Sequence, residues 1–306
     1  MTAGRLSLDH VGIVVPSMDE AIDWWTTLFG VRLVWREQPV DVEGARLGLP
    51  GEAVRLQGAI FDTGGSAFLE LHEYFKPAGA SPRRPCDTGY NHLSFYAEDL
   101  AHEYGRLQAA GMTFFGEPML ITSGGLVGHQ WVWGADPWGT VVELHQHARP
   151  HGEAGRLVLD HPGITVEDLD VATRWYCEAY GWTVRWTEGW TEIDGRLFGM
   201  DEKVIQLRGR ILDTGGTFVE LHEFGSPRGT GKRRTCDLGQ GHIAVYAHDI
   251  VGEYERLSVG GMQFYKDVMR IPDGALKGFD WAYGVTPFGT TVEICRHPPA
   301  PVLALG

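Results

Sequence analysis

Leu8-Asp9-His10 returns as Leu159-Asp160-His161, and the correspondence runs nearly to the end of the chain. Phe68-Leu69-Glu70-Leu71-His72-Glu73 returns as Phe218-Val219-Glu220-Leu221-His222-Glu223, and His92 returns as His242. Asp136-Pro137-Trp138-Gly139-Thr140-Val141-Val142-Glu143 returns as Thr286-Pro287-Phe288-Gly289-Thr290-Thr291-Val292-Glu293. A repeat this long means duplicated domains rather than a short-period solenoid.

Each half subdivides again. Residues 7–15 alternate as a strand, and Ser17-Met18-Asp19-Glu20 reads as a capping box opening a helix. That helix carries Ile22, Trp25 and Phe29 on one face and stops at Gly30. Extended segments follow near 31–36, 54–61 and 67–74. The order then restarts with a strand at 91–97, a helix over 99–111 and strands ending at Glu143. Each half is therefore two βαβββ units, and the chain holds four. We place the first domain at 1–148, with modules at about 7–80 and 88–147. A polar linker at 149–156 precedes the second domain at 157–298, and a proline-rich tail occupies 299–306. The expected class is α+β, with helices packed on one face of strongly curved sheets.

The 306 residues carry a formal net charge of −14, which argues against nucleic acid and against an anionic membrane surface. No apolar run is long enough to span a bilayer. Met1 to Arg5 lead straight into a strand-like segment, and no signal peptide is read there. Cys86, Cys177, Cys236 and Cys295 lack C-x-x-C spacing and read as reduced thiols of a cytoplasmic protein. The expected partner is a small-molecule substrate; a homodimer is compatible with the sequence.

Eight polar residues on expected strands carry the chemistry. Each module contributes a histidine from its first strand and a glutamate from its last: His10 with Glu70, His92 with Glu143, His161 with Glu220, His242 with Glu293. Pleating gives them a common side. His92 alternates with Leu93 and Phe95, and His242 with Ile243 and Val245, so an oily face opposes a polar one. An isolated strand histidine is more often a core residue than a ligand. Here both copies keep all four groups, although neighbours differ, as in His145 against Cys295 and His129 against Phe279. Two neutral imidazoles and two carboxylates suit a divalent ion such as Zn, Fe, Mn, Co or Ni. His72 and His222, two positions beyond Glu70 and Glu220, are candidates to orient a ligand or act as a base. Trp131, Trp133, Tyr96 and Tyr246 are candidates for pocket walls. Ser123 to Gly128 is glycine-rich and reads as a lid.

These pieces closely resemble the vicinal oxygen chelate superfamily, which includes glyoxalase I, methylmalonyl-CoA epimerase, fosfomycin-resistance proteins and extradiol dioxygenases. The resemblance rests on Leu8-Asp9-His10-Val11-Gly12-Ile13, Leu69-Glu70-Leu71, Asn91-His92-Leu93-Ser94-Phe95, and Asp136-Pro137-Trp138-Gly139 through Glu143-Leu144. It implies paired βαβββ modules that form incomplete barrels around a metal. Carried over, His10, Glu70, His92 and Glu143 form one ligand set and His161, Glu220, His242 and Glu293 the other, one ion per domain. Each set is expected from its own half. One departure is Pro162 after His161, tolerated only on an edge strand or at a strand start.

The leading expectation is a metal-dependent isomerase, epimerase or lyase acting on a small carbonyl or hydroxy substrate. A carboxylate that can leave the metal, Glu143 or Glu70 and their copies Glu293 or Glu220, would move a proton. An extradiol dioxygenase is the alternative, but such iron sites usually use two histidines and one carboxylate. A resistance protein that binds a drug or metabolite without turnover is the third reading.

Overall fold

A computed structural model describes residues 6–80, 84–149, 156–229, 234–274 and 276–298. The N-terminal five residues, most of the expected linker and the proline-rich tail lie outside the described residues. Module one comprises β1 (Ser7–Val14), α1 (Met18–Phe29), β2 (Arg32–Arg36), β3 (Val40–Glu43), β4 (Ala53–Asp62) and β5 (Phe68–Lys76). Module two comprises β6 (Gly89–Tyr96), α2 (Leu100–Ala109), β7 (Thr113–Phe114), β8 (Met119–Leu120), β9 (Gln130–Ala135) and β10 (Val141–Gln146). Module three is β11 (Val158–Thr165), α3 (Leu169–Tyr180), β12 (Thr183–Ile193), β13 (Ile205–Asp213) and β14 (Phe218–Ser226). Module four is β15 (Gly239–Tyr246), α4 (Ile250–Val259), β16 (Gln263–Phe264), β17 (Met269–Arg270), β18 (Asp280–Val285) and β19 (Thr291–Arg296). β2 and β3 both pair with β4, β7 and β8 with β9, and β16 and β17 with β18. Each such couple occupies one interrupted position, so all four modules keep the expected βαβββ order.

The helices form where the local signals place them. The Ser17 hydroxyl accepts the Glu20 N–H at 3.5 Å, and α1 closes on Gly30 at φ 67°. That left-handed conformation suits glycine, which has no Cβ to clash. α1 buries Met18, Ala21, Trp25 and Phe29, one face of a 3.6-residue period. Trp25 and Phe29 reach Phe95 of module two, with ring centroids 5.8 and 4.7 Å away. Residues from both sheets and all four helices thus share one core. Removing a fully buried side chain such as Trp25 costs about 3–5 kcal/mol.

The modules do not pair within their own halves. One sheet runs β16-β18-β19-β15-β1-β5-β4-β2 and joins modules four and one; the other runs β12-β13-β14-β11-β6-β10-β9-β7 and joins modules three and two. Neither closes into a barrel. The chain crosses between sheets in the segments after β5 and after β14. These crossings lie side by side: the Leu238 N–H donates to the Ala80 carbonyl at 3.0 Å, and the Ala80 N–H to the Asp237 carboxylate at 2.9 Å.

Pro162 falls inside β11, a central strand, which corrects the edge-or-start expectation. Two features accommodate it. Pairing of β11 with β14 begins only at Gly163, one residue later, whereas in the equivalent couple β1 pairs with β5 from His10 onward. The ladder of β11 with β6 is also irregular on both sides of Pro162. Proline lacks an N–H to donate, and an irregular ladder has less need of one.

Candidate metal centres

All eight expected ligands converge, but in sets that cross the halves. His92, Glu143, His161 and Glu220 meet between modules two and three; His10, Glu70, His242 and Glu293 meet between modules one and four. The expectation that each set is drawn from its own half is corrected by this geometry. The sets follow the sheets, in which β6 lies beside β11 and β1 beside β15.

In the middle-module set, His92 Nε2 and His161 Nε2 are each 3.3 Å from Glu143 Oε2 and 3.6 Å from Glu220 Oε2. In the outer-module set, His10 Nε2 is 3.5 Å from Glu70 and 3.6 Å from Glu293, while His242 Nε2 is 3.3 and 3.7 Å from the same carboxylates. Donors each about 2.1 Å from a common ion sit about 3.0–3.4 Å apart, close to these spacings. His92 Nε2, His161 Nε2, Glu143 Oε2 and Glu70 Oε2 are buried without a hydrogen-bond partner. Buried polar atoms are rarely left so, and an ion at the centre would satisfy them. The residues present therefore fit a divalent cation in both places.

Burial opposes ionisation of Glu143, but His161 and His92 outweigh it and hold the carboxyl down at about 2. Burial likewise opposes ionisation of Glu70 and Glu220, yet His72 and His10, and His222 and His161, pull them well below the usual carboxylate range. Burial lowers His92 and His242, keeping them neutral. His10 and His161 also feel burial, but the carboxylates around them prevail and raise them well above the ordinary value. Each cluster thus attracts positive charge to its middle.

A feature that simple alternation misses aims the histidines. The residue before each one, Asp9, Asn91, Asp160 or Gly241, is skipped in the β1–β15 or β6–β11 pairing and sits at an irregularity of the ladder. Alternation would turn these residues away from the histidines; a bulge re-aims them. Asp9 Oδ1 lies 2.8 Å from His10 Nδ1, Asp160 Oδ2 2.7 Å from His161 Nδ1, and Asn91 Oδ1 2.7 Å from His92 Nδ1. These oxygens only accept, so each Nδ1–H donates and Nε2 is the nitrogen aimed at the centre, where His10 and His161 would give up their second proton when an ion binds. The Asp-His, Asn-His and Asp-His dipeptides carried that signal in the sequence. Gly12 and Gly163 are a second omission: they lie opposite His242 and His92, and a Cβ at either would collide with the facing imidazole.

The two surroundings differ. The middle-module quartet opens on a cavity of about 330 Å³ lined by Trp131, Trp133, Trp186, Phe198 and Ile211, with Glu143, His161, Glu220 and His222 exposed to it. Ser123 and Leu126 of the glycine-rich loop line it too. The outer-module cavity is about 110 Å³. Trp133 packs on His92 with centroids 4.2 Å apart, whereas its copy Tyr283 puts its hydroxyl 3.1 Å from His242 Nε2. His72 and His222 stand 3.3 and 3.1 Å from Glu70 and Glu220, beside the two clusters. Tyr96 and Tyr246 lie elsewhere, against His147 and His297.

The chain matches the Glyoxalase/Bleomycin resistance protein/Dioxygenase superfamily over residues 7–144 and again over 158–294. A protein of Actinomyces sp named 2-epi-5-epi-valiolone epimerase is 31% identical over 154 residues, covering 46% of this chain and 79% of that one. Glyoxalase I from Zea mays shares the fold, with a TM-score of 0.69 at 16% identity over 95% of this chain and 92% of that one. A putative dioxygenase from Bacillus subtilis does so with a TM-score of 0.65 at 15% identity, over 97% and 86%.

Proposed function

The chain belongs to the Glyoxalase/Bleomycin resistance protein/Dioxygenase superfamily, and from that premise we propose that it is a divalent-metal-dependent epimerase or isomerase of a small hydroxylated ketone, working at the middle-module quartet. The observation that carries this reading is the pair of carboxylates, buried Glu143 from β10 and partly buried Glu220 from β14, facing one roomy cavity. The relative named as an epimerase supports the reaction class. His92, Glu143, His161 and Glu220 would hold the ion. When bound it would act as a Lewis acid on the substrate oxygens and acidify the neighbouring C–H.

The chain's own groups do the rest. Glu143 is ionised at neutral pH and accepts the proton from the carbon beside the carbonyl; the C–H electron pair moves toward the carbonyl oxygen. A solvent-derived proton taken up at Glu220, with His222 Nε2 3.1 Å away, passes to the opposite face of the carbon as the electron pair returns from the carbonyl oxygen, and Glu143 gives its own proton up to solvent, which inverts the centre and restores both carboxylates. Trp131, Trp133, Trp186 and Phe198 supply the apolar wall against which the carbon skeleton would rest. The Ser123–Gly128 loop contributes Ser123 and Leu126 to the cavity wall, and Gly125 permits close packing on Trp186, where a Cβ would collide with the indole.

The test is solvent deuterium incorporation beside the carbonyl of hydroxylated ketones, with chelator-stripped and ion-reloaded protein. Exchange restored by the ion is expected. Oxygen consumption with ring cleavage, or tight binding without exchange, would replace this reading.

A further inference from the structure

Beside the middle-module quartet lies a second cluster that the proposed chemistry leaves unused. Glu143, His145 and His147 share one side of β10 and its extension. His145 Nδ1 is 3.5 Å from Asp160 Oδ2, and His147 Nε2 is 3.2 Å from Asp160 Oδ1. His145 is 6% exposed, and its Nδ1 has no hydrogen-bond partner. Its other nitrogen, Nε2, lies 3.0 Å from His129 Nδ1. If Nε2–H donates to His129, the lone pair at Nδ1 points to Asp160, the arrangement usual for a metal-ligating imidazole with an orienting partner.

We infer that His145, His147 and Asp160 form a third divalent-cation site, one that takes a nitrogen-preferring ion such as Zn or Ni. Two imidazoles and one carboxylate leave coordination positions open for water. His147 is partly exposed, and Asp160 also lines a hollow of about 390 Å³, so an ion has a route in. The site is joined to the quartet, because Asp160 Oδ2 accepts from His161 Nδ1 at 2.7 Å. An ion on Asp160 would weaken its hold on the ligand imidazole, so occupancy would tune the neighbouring centre. The outer modules keep Asp9 and His297, with His297 Nε2 2.7 Å from Asp9, but carry Cys295 and Phe279 where His145 and His129 stand. Cys295, with Asp9 and His10, makes a thiol-bearing cluster at the equivalent place, so the two-imidazole donor set belongs to the middle modules among the described residues.

Metal-stripped full chain, titrated with Zn²⁺ alone and followed by calorimetry and elemental analysis, tests this. Wild type is expected to bind about three ions per chain and His147→Ala about two, with the outer quartet's affinity unchanged and the middle quartet's no weaker than in wild type. A Glu70→Gln, Glu220→Gln double variant weakens both quartets; the ion lost with His147→Ala should persist in it, which separates this site from the catalytic reading. Should His147→Ala not fold by circular dichroism, His147→Gln is read instead. Equal stoichiometry and affinities in wild type and the His147 variant overturn the site.

Discussion

The two quartets have the same four ligand types, the same strand origins and nearly the same spacings, yet their surroundings diverge. The middle one faces a cavity about three times larger, has Asn91 beside His92, and has an indole, Trp133, packed at a tilt against that imidazole. The outer one has Gly241 in place of Asn91 and a phenol hydroxyl, that of Tyr283, near the ligand nitrogen. Burial and the Glu293 and Glu70 carboxylates push the Tyr283 hydroxyl well above its usual range, so it stays neutral and can donate. Like donor sets therefore sit in unlike surroundings, and the middle one has the roomier cavity beside it.

The largest break in that comparison is expected from the carboxylates. Glu143→Gln should lower turnover by about 10²–10⁴, since an amide cannot take up a proton at neutral pH. Glu293→Gln should leave turnover within about twofold, because it belongs to the narrower site. Deuterium exchange with matched metal content reads both. Equal losses would make the two centres catalytic partners; no loss in either would remove the carboxylate mechanism.

Gly163→Ala comes next. Its methyl must displace the His92 ring, so the ion of the middle quartet should be lost along with about 1–3 kcal/mol of stability from overpacking. Gly12→Ala should do the same at the outer quartet, through His242, while sparing exchange. Elemental analysis and urea melts of the two variants separate the sites.

The turns before the two last strands differ in a titratable group. Asp136 Oδ1 accepts the Trp138 and Thr140 N–H groups at 2.9 and 2.7 Å, while Oδ2 is buried without a partner. Its copy Thr286 makes the same two bonds with a hydroxyl, at 3.3 and 3.2 Å. Burial raises Asp136 to about 6 despite those bonds. A carboxyl raised on folding contributes stability below the unfolded value near 4, and that stability is lost as pH rises through the folded value. Asp136→Thr should remove a loss on the order of 3 kcal/mol between about pH 4 and 6. Urea midpoints of both proteins across that range decide it; parallel curves would mean that Asp136 titrates normally.

The smallest effect expected is at the orienting amide. Asn91→Gly copies the outer pattern and should weaken metal binding at the middle quartet by about 10–100-fold, as loss of a ligand's hydrogen-bond partner typically does. Affinity unchanged by calorimetry would show that Trp133 packing alone aims His92.

Sequence reading reached the His and Glu side chains that cluster because they sit on strands whose oily face is unambiguous: Leu93 and Phe95 are fully buried opposite His92 and Ser94. It reached α1 because Ser17 and Gly30 mark its ends. It missed Asp9, Asn91 and Asp160 as orienters because strict alternation sends them to the wrong face, and a bulge depends on the neighbouring strand.

His, Glu and the βαβββ order are local facts, readable from two-residue and 3.6-residue periods. Which module closes on which is not local. All four first strands present the same alternating pattern, so pairing β1 with β6 would satisfy the sequence as well as pairing β1 with β15. The partition into crossed quartets, the unequal cavities and the cluster at Asp160 come from the strand pairing and from side chains distant in sequence, such as Trp186 and Phe198, that the pairing brings over one site.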